Sequence, residues 1–176
     1  MSILFVDDIR GKTAATDVDL SNATNLKMPA GHIVQVSPLT QENDVQITIN
    51  NSSTNTAITQ VTSTITPKQA GSRILINFHT QIYAPSGQYL AVMIFRSVAG
   101  GSYGHTTGKP HAFPGGSNTW QDCEINIIDT PSYSLGQSIS YRPYVYTHNS
   151  SYNSYFGWGT SSGGSATTMF TTEIAG

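Results

Sequence analysis

The chain has 176 residues and a mass of 18.9 kDa, with eight Lys and Arg against ten Asp and Glu, and a pI near 6.2. That length suits one domain, or one domain with an extension, and the lack of clustered positive charge argues against nucleic acid or an anionic membrane as the main partner. Charged residues make up 10% of the chain, below the roughly 25% usual in soluble domains, and 54 Ser, Thr and Asn stand in their place.

No run of about 18 apolar residues is present, so no membrane insertion is expected. Asp7 and Asp8 interrupt the apolar start Met1–Phe5 too early for a secretion signal. Cys123 is the only cysteine, so no internal disulfide can form. Of 17 aromatic residues only Phe5 precedes Phe78, which leaves the first seventy-odd residues few large side chains for an independent core. Acids are equally uneven. Six lie within residues 1–44 (Asp7, Asp8, Asp17, Asp19, Glu42, Asp44), and none occurs from Val45 to Gln121. The break at Ser37-Pro38, before Gln41-Glu42-Asn43-Asp44, predicts a boundary between an extended N-terminal segment, 1–37, and a head, 38–176.

In the N-terminal segment the pieces Ile3–Ile9, Val18–Leu20 and His32–Val36 are too short for stable helices. Beyond it the period is two. Val45–Ile49 alternates, as does Ile58–Ile65. From Arg73 to Tyr83, Ile74, Ile76, Phe78 and Ile82 share one face, with Asn77, His79 and Gln81 on the other. Gln88–Val98 is nearly continuously apolar and reads as a strand buried on both faces. Trp120–Ile128 sets Cys123, Ile125 and Ile127 against Asp122, Glu124 and Asn126; Gln137–Thr147 and Thr167–Ile174 complete the series. Turn signals such as Pro85-Ser86-Gly87, Gly100-Gly101 and Ser162-Gly163-Gly164 separate them. Seven or eight strands without a convincing helix predict an all-β fold, an antiparallel jelly-roll-type β-sandwich.

Motifs for chemistry are weak. Gly159-Thr160-Ser161-Ser162-Gly163 has the spacing of a nucleophile elbow but lacks the flanking strand and helix that the elbow requires. Asp122 and Glu124 are one strand repeat apart, about 7 Å, and read as a solvated face rather than a glycosidase pair. The five histidines form no H-x-H or H-x-x-x-H pair, and Cys123 falls on an apolar face. No catalytic residue, metal or cofactor is therefore expected, and the chain is not read as an enzyme. Two loops stand out. One carries Tyr103, His105, His111 and Phe113 among glycines; the other carries Tyr152, Tyr155, Phe156 and Trp158 among Asn and Ser. Rings that stack on the apolar face of a pyranose, beside small amides and hydroxyls, suit neutral sugars of a surface glycan, although such loops also pack on their own sandwich or on a neighbouring subunit.

The stretch Ser2–Ile9 with Leu26–Val36 resembles the start of short fibre proteins of tailed bacteriophages, the cyanophage and marine-phage type among them. Gly71–Ile76, Val92–Arg96 and Thr168–Ala175 are similar to the compact head of that family, whereas the two aromatic loops match nothing in it. The resemblance implies a homotrimeric virion protein assembled in the bacterial cytoplasm. Its N-terminal segment, with Ile3, Phe5, Val6 and Ile9 as candidate attachment residues, would hold other virion proteins, and its jelly-roll head would be C1q-like. It implies no enzymatic activity and supplies no binding residues. The expected role is a tail or baseplate fibre whose head contacts host glycan. The alternative is a capsid decoration or head-fibre protein clamping shell subunits. A glycan-degrading spike is disfavoured by the short chain.

Overall fold

A computed structural model describes residues 28–38, 40–42, 46–50, 54–106, 111–114, 119–149, 151–157 and 166–176. The described residues contain thirteen strands in two antiparallel sheets and no helix. The centre of the first sheet is β6 (Arg73–Tyr83), paired along its length with β10 (Trp120–Asp129) on one side. On its other side lies β13 (Thr167–Ile174), which in turn pairs with β1 (Ile33–Val36) and β2 (Thr40–Glu42). Where β13 leaves β6, β12 (Ser154–Phe156) takes its place beside Ile82 and Tyr83 and carries β3 (Ile47–Ile49) beyond it. The second sheet is built on β7 (Tyr89–Val98) and β11 (Ile139–Thr147). The short strands β4 (Thr56–Ala57) and β5 (Ser63–Ile65) flank β11, and β8 (Gly104–His105) and β9 (His111–Pro114) flank β7.

Read outside-in along the chain, these partnerships are nested. The first strands pair with the last, β4 and β5 with β11, β6 with β10, and β7 with β8 and β9. Nested antiparallel pairing across two sheets is the jelly roll, so the expected fold class stands. Alternation explains which side of each strand faces in. Ile74, Ile76, Phe78 and Ile82 of β6 are buried between the sheets, together with Ile125 and Cys123 of β10 and Met169 of β13. Leu90, Val92 and Ile94 of β7 and Ile139, Tyr141 and Val145 of β11 meet them from the other sheet. On β7 the opposite positions Ala91, Met93 and Phe95 are buried as well, as the continuous apolar run predicts.

Part of the hydroxyl-rich composition is directed inward. Ser37, Ser63 and Thr171 form a buried cluster in which Ser63 Oγ lies 3.0 Å from Ser37 Oγ and 3.2 Å from Thr171 Oγ1. Thr80 pairs with Thr167 at 2.7 Å, and Thr147 with Ser154 at 3.1 Å. Each such pair satisfies polar atoms that would otherwise cost about 1–3 kcal/mol to bury unpaired.

One expectation changes. The strand expected over Ile58–Ile65 is confined to Ser63–Ile65, because Thr59 and Gln60 form a turn in which Val61 N–H donates to Ile58 C=O at 3.4 Å. Ile58 and Val61 are buried without being in a strand. In addition, β1 lies before the boundary expected at 37/38 yet is hydrogen-bonded into the first sheet. The turn between β7 and β8 places Ala99 (φ 52°) and Gly100 (φ 74°) in the left-handed region, closed by Gly101 N–H on Val98 C=O at 3.0 Å. Two positive φ values make a type I′ turn, whose twist matches a hairpin.

Candidate functional site

Among the described residues three charged groups, Arg96, Asp129 and Glu173, lie between the sheets, held by the contacts of the fold itself. Asp129, fully buried at the end of β10, accepts both oxygens' bonds from Arg96 Nη1 at 2.8 and 2.6 Å. Tyr141 Oη–H donates to its Oδ2 at 3.0 Å. Burial, with the Asp129 carboxylate beside it, pushes the Tyr141 phenol well above its usual range. Glu173 of β13 is also fully buried. It accepts from Lys68 and Gln69 backbone N–H (3.0 Å each), Ser72 Oγ–H (2.7 Å) and Gln35 Nε2–H (2.7 Å), so it clamps the 66–72 turn to the sheet edge.

Among the described residues, the polar and aromatic side chains open to a partner lie on the outer faces of the sheets. In the first sheet the register aligns side chains in rows across the strands. Val36, Thr172, Leu75 and Ile128 form one row, with Val36 54% and Ile128 49% exposed. Phe170, Asn77 and Asn126 form the next, then Thr168, His79 and Glu124. At the far end Tyr155, Tyr83 and Trp120 pack ring against ring at 5.6–6.2 Å. The face is thus banded: aliphatic, polar, aromatic. In its polar middle, Asn77 Nδ2–H donates to Asn126 Oδ1 (2.6 Å) and Asn126 Nδ2–H to Glu124 Oε1 (2.8 Å). An open depression of about 240 Å³ lies there, with Phe170 in its wall. Asp122 and Glu124 are exposed on this face, opposite buried Cys123 and Ile125, as the alternation predicts. Burial pushes the Cys123 thiol far up, which suits an inert core residue.

The outer face of the second sheet carries an aromatic cluster. Phe95 stacks on Tyr144 (centroids 4.2 Å) and meets His105 at a tilt of 48° (4.3 Å), and Tyr103 leans on Tyr144 at 6.0 Å. The Arg142 guanidinium sits 4.5 Å above the Tyr103 ring, and its Nε–H donates to Thr62 Oγ1 at 3.0 Å. Further along, Tyr89 contacts Tyr146 and His148.

Among the described side chains, those expected to bind a ligand are dispersed rather than joined in one site. Tyr103 and His105 belong to the second-sheet cluster, and Tyr155 to the aromatic end of the first-sheet face. Tyr152 is exposed in the turn before β12. Phe156 is a correction: it is fully buried and stacks on Phe78 at 6.1 Å, because its place on β12 points it between the sheets. The backbones of His111 and Phe113 lie in β9. Trp158, the elbow-like 159–163 and the candidate attachment residues Ile3, Phe5, Val6 and Ile9 lie outside the described residues. Sequence reading did not single out Tyr83, Trp120, Phe95, Tyr144 or Arg142. Strand parity puts Tyr83 and Trp120 on the outer face with Asn77 and Glu124, which is the signal that was available.

No protein-family model and no curated protein matches the chain. Among solved structures it is similar to a chain in the structure of infectious bursal disease virus strain Gx, at 16% identity and a TM-score of 0.48 over 82% of this chain. Strain Gt gives 13% and 0.43 over 98%, and the T13 particle of the same virus gives 12% and 0.31 over 79%. This chain spans 33–43% of the length of those chains. Likenesses at these scores assign no role. No three His, Cys, Asp or Glu side chains among the described residues lie close enough to share a metal ion.

Proposed function

We propose that the chain is a virion structural protein of a tailed bacteriophage. It forms a homotrimer in which the jelly roll is the receptor-contacting head of a tail or baseplate fibre and the N-terminal segment holds the particle. The observation that carries this reading is the banded outer face of the first sheet. It presents Val36, Leu75 and Ile128 at one end and Tyr83, Trp120 and Tyr155 at the other, with His79, Asp122 and Glu124 as the titratable groups between them. Its uncharged apolar ends suit burial against copies of itself, since charged residues are depleted in the cores of such interfaces, and Asp122 and Glu124 mark the part that stays solvated. The resemblance of Ser2–Ile9 and Leu26–Val36 to phage fibre proteins supports the virion assignment. Capsid decoration remains the alternative use of the same trimer.

The reading is tested by Ile128→Asp. Ile128 is half-exposed, so the charge is tolerated in an isolated subunit but not in a dry interface. Light scattering is expected to give a trimer mass for the wild type and a monomer for the variant; a wild type that is monomeric at micromolar concentration overturns the trimer. Labelling the C-terminus and locating it in negatively stained particles separates fibre from shell.

A further inference from the structure

The two sheets differ in charge. Strands of the first sheet carry five acids (Glu42, Asp122, Glu124, Asp129, Glu173) against Arg73. Strands of the second carry Arg96 and Arg142 and no acid. Arg96 is neutralised between the sheets by Asp129. Arg142 is not. It alternates outward with Tyr144 and Tyr146, and no carboxylate lies within ion-pair distance of it among the described residues. Its guanidinium is nonetheless held in place, by the Nε–H bond to Thr62 and by the Tyr103 ring beneath it. That leaves both terminal amino groups without a protein partner among the described residues.

The register puts Arg142 in one row with Phe95 and His105 across β11, β7 and β8. At about 4.8 Å per strand, the backbone positions of Arg142 and His105 stand roughly 10 Å apart. Phe95 lies between them in that row, Tyr144 stacks on it and Tyr103 packs on Tyr144. We infer that this cluster is a binding site for a carboxylate-bearing saccharide, a uronic-acid unit of a surface glycan. The apolar face of the pyranose lies on Tyr144 and Tyr103. Its carboxylate accepts from the Arg142 fork, and a neighbouring hydroxyl is bonded by His105. Charge decides the class. A neutral sugar leaves a positioned guanidinium unpaired, whereas a carboxylate completes a charge-assisted pair on a sheet that contains no competing acid. The inference rests on the receptor-binding part of the reading above and gives that receptor a chemical class. It places the contact on the face turned away from the proposed trimer interface.

The test uses the full-length chain and galacturonate trisaccharide, with its methyl ester as a probe that keeps the rings and removes the charge. Calorimetric titration is expected to show saturable binding of the acid, at least tenfold weaker binding of the ester, and at least tenfold loss in Arg142→Gln. His105→Gln, on an exposed edge, is expected to lose several-fold and covers the case in which Arg142→Gln does not fold. Equal binding of acid and ester, unchanged binding by the folded variants, or no binding by the wild type at millimolar sugar each overturns the site. Light scattering on the same samples separates the two ideas. A trimer that ignores the sugar refutes this site alone, and a monomer that binds it refutes the trimer alone.

Discussion

Glu173→Gln tests the reasoning about buried polar groups most directly. The glutamine has the same shape but offers one acceptor oxygen where the glutamate offers two. If the amide nitrogen replaces Oε2, it faces Gln35 Nε2–H and Lys68 N–H; if it replaces Oε1, it faces Lys68 N–H and Gln69 N–H. Either orientation turns one bond into a donor–donor contact, with Gln35 Nε2–H or with Gln69 N–H, and leaves Lys68 N–H, shared between both oxygens, with a single acceptor; in the second orientation the Ser72 hydroxyl must also reverse its role. Bonds to a charged acceptor are worth roughly 1.5–3 kcal/mol each, and part of that loss is offset because the neutral amide is cheaper to bury. The net expectation is a loss of about 2–4 kcal/mol, or roughly 5–15 °C in Tm for a chain of this size. Urea unfolding at matched protomer concentration measures it, with Ser132→Ala in the exposed loop between β10 and β11 as a control expected within about 0.5 kcal/mol of wild type. The Lys68 and Gln69 amides are expected to lose hydrogen-exchange protection ahead of the β6 amides. A Glu173→Gln protein as stable as the control, or one that is destabilised while those two amides stay protected, would refute the clamp.

Further outcomes follow from the space between the sheets. Arg96→Met leaves Asp129 buried without its cation and is expected to cost about 3–5 kcal/mol; Tyr141→Phe removes a single bond to the same carboxylate and costs about 1.5–3 kcal/mol, both read by urea unfolding. Cys123 is expected to resist thiol reagents at pH 8 until the protein unfolds. Its folded-state value is raised, as is that of Tyr141, so the native state keeps both protons longer than the unfolded chain does. Stability is therefore full below the ordinary thiol value of 9.0 and falls as pH rises through that value and the ordinary phenol value of 10.0. In Cys123→Ala the slope of that loss is expected to shrink by about 1.4 kcal/mol per pH unit, and an unchanged slope would show that the thiol is not protected by burial.

Much of the strand architecture was written in local alternation. β6 and β13 begin and end where the periodicity places them, and β7 is buried on both faces as its unbroken apolar run implies. Side-chain direction in a strand reverses at every residue whatever the strand is paired with, so inner and outer faces can be read without the fold. Pairing is different, because it joins residues far apart in the chain. Only the tertiary structure set Tyr155 beside Tyr83 and Trp120, seated Arg142 over Tyr103, and enclosed Glu173 among donors from 35 to 72. Phe156 shows the same division: its ring is part of an aromatic-rich stretch in the sequence, but the three residues of β12, docked on the end of β6, turn it into the core. Composition and period determined that this chain is a sandwich with two distinct faces; what each face presents was decided by long-range register, which no short window of residues contains.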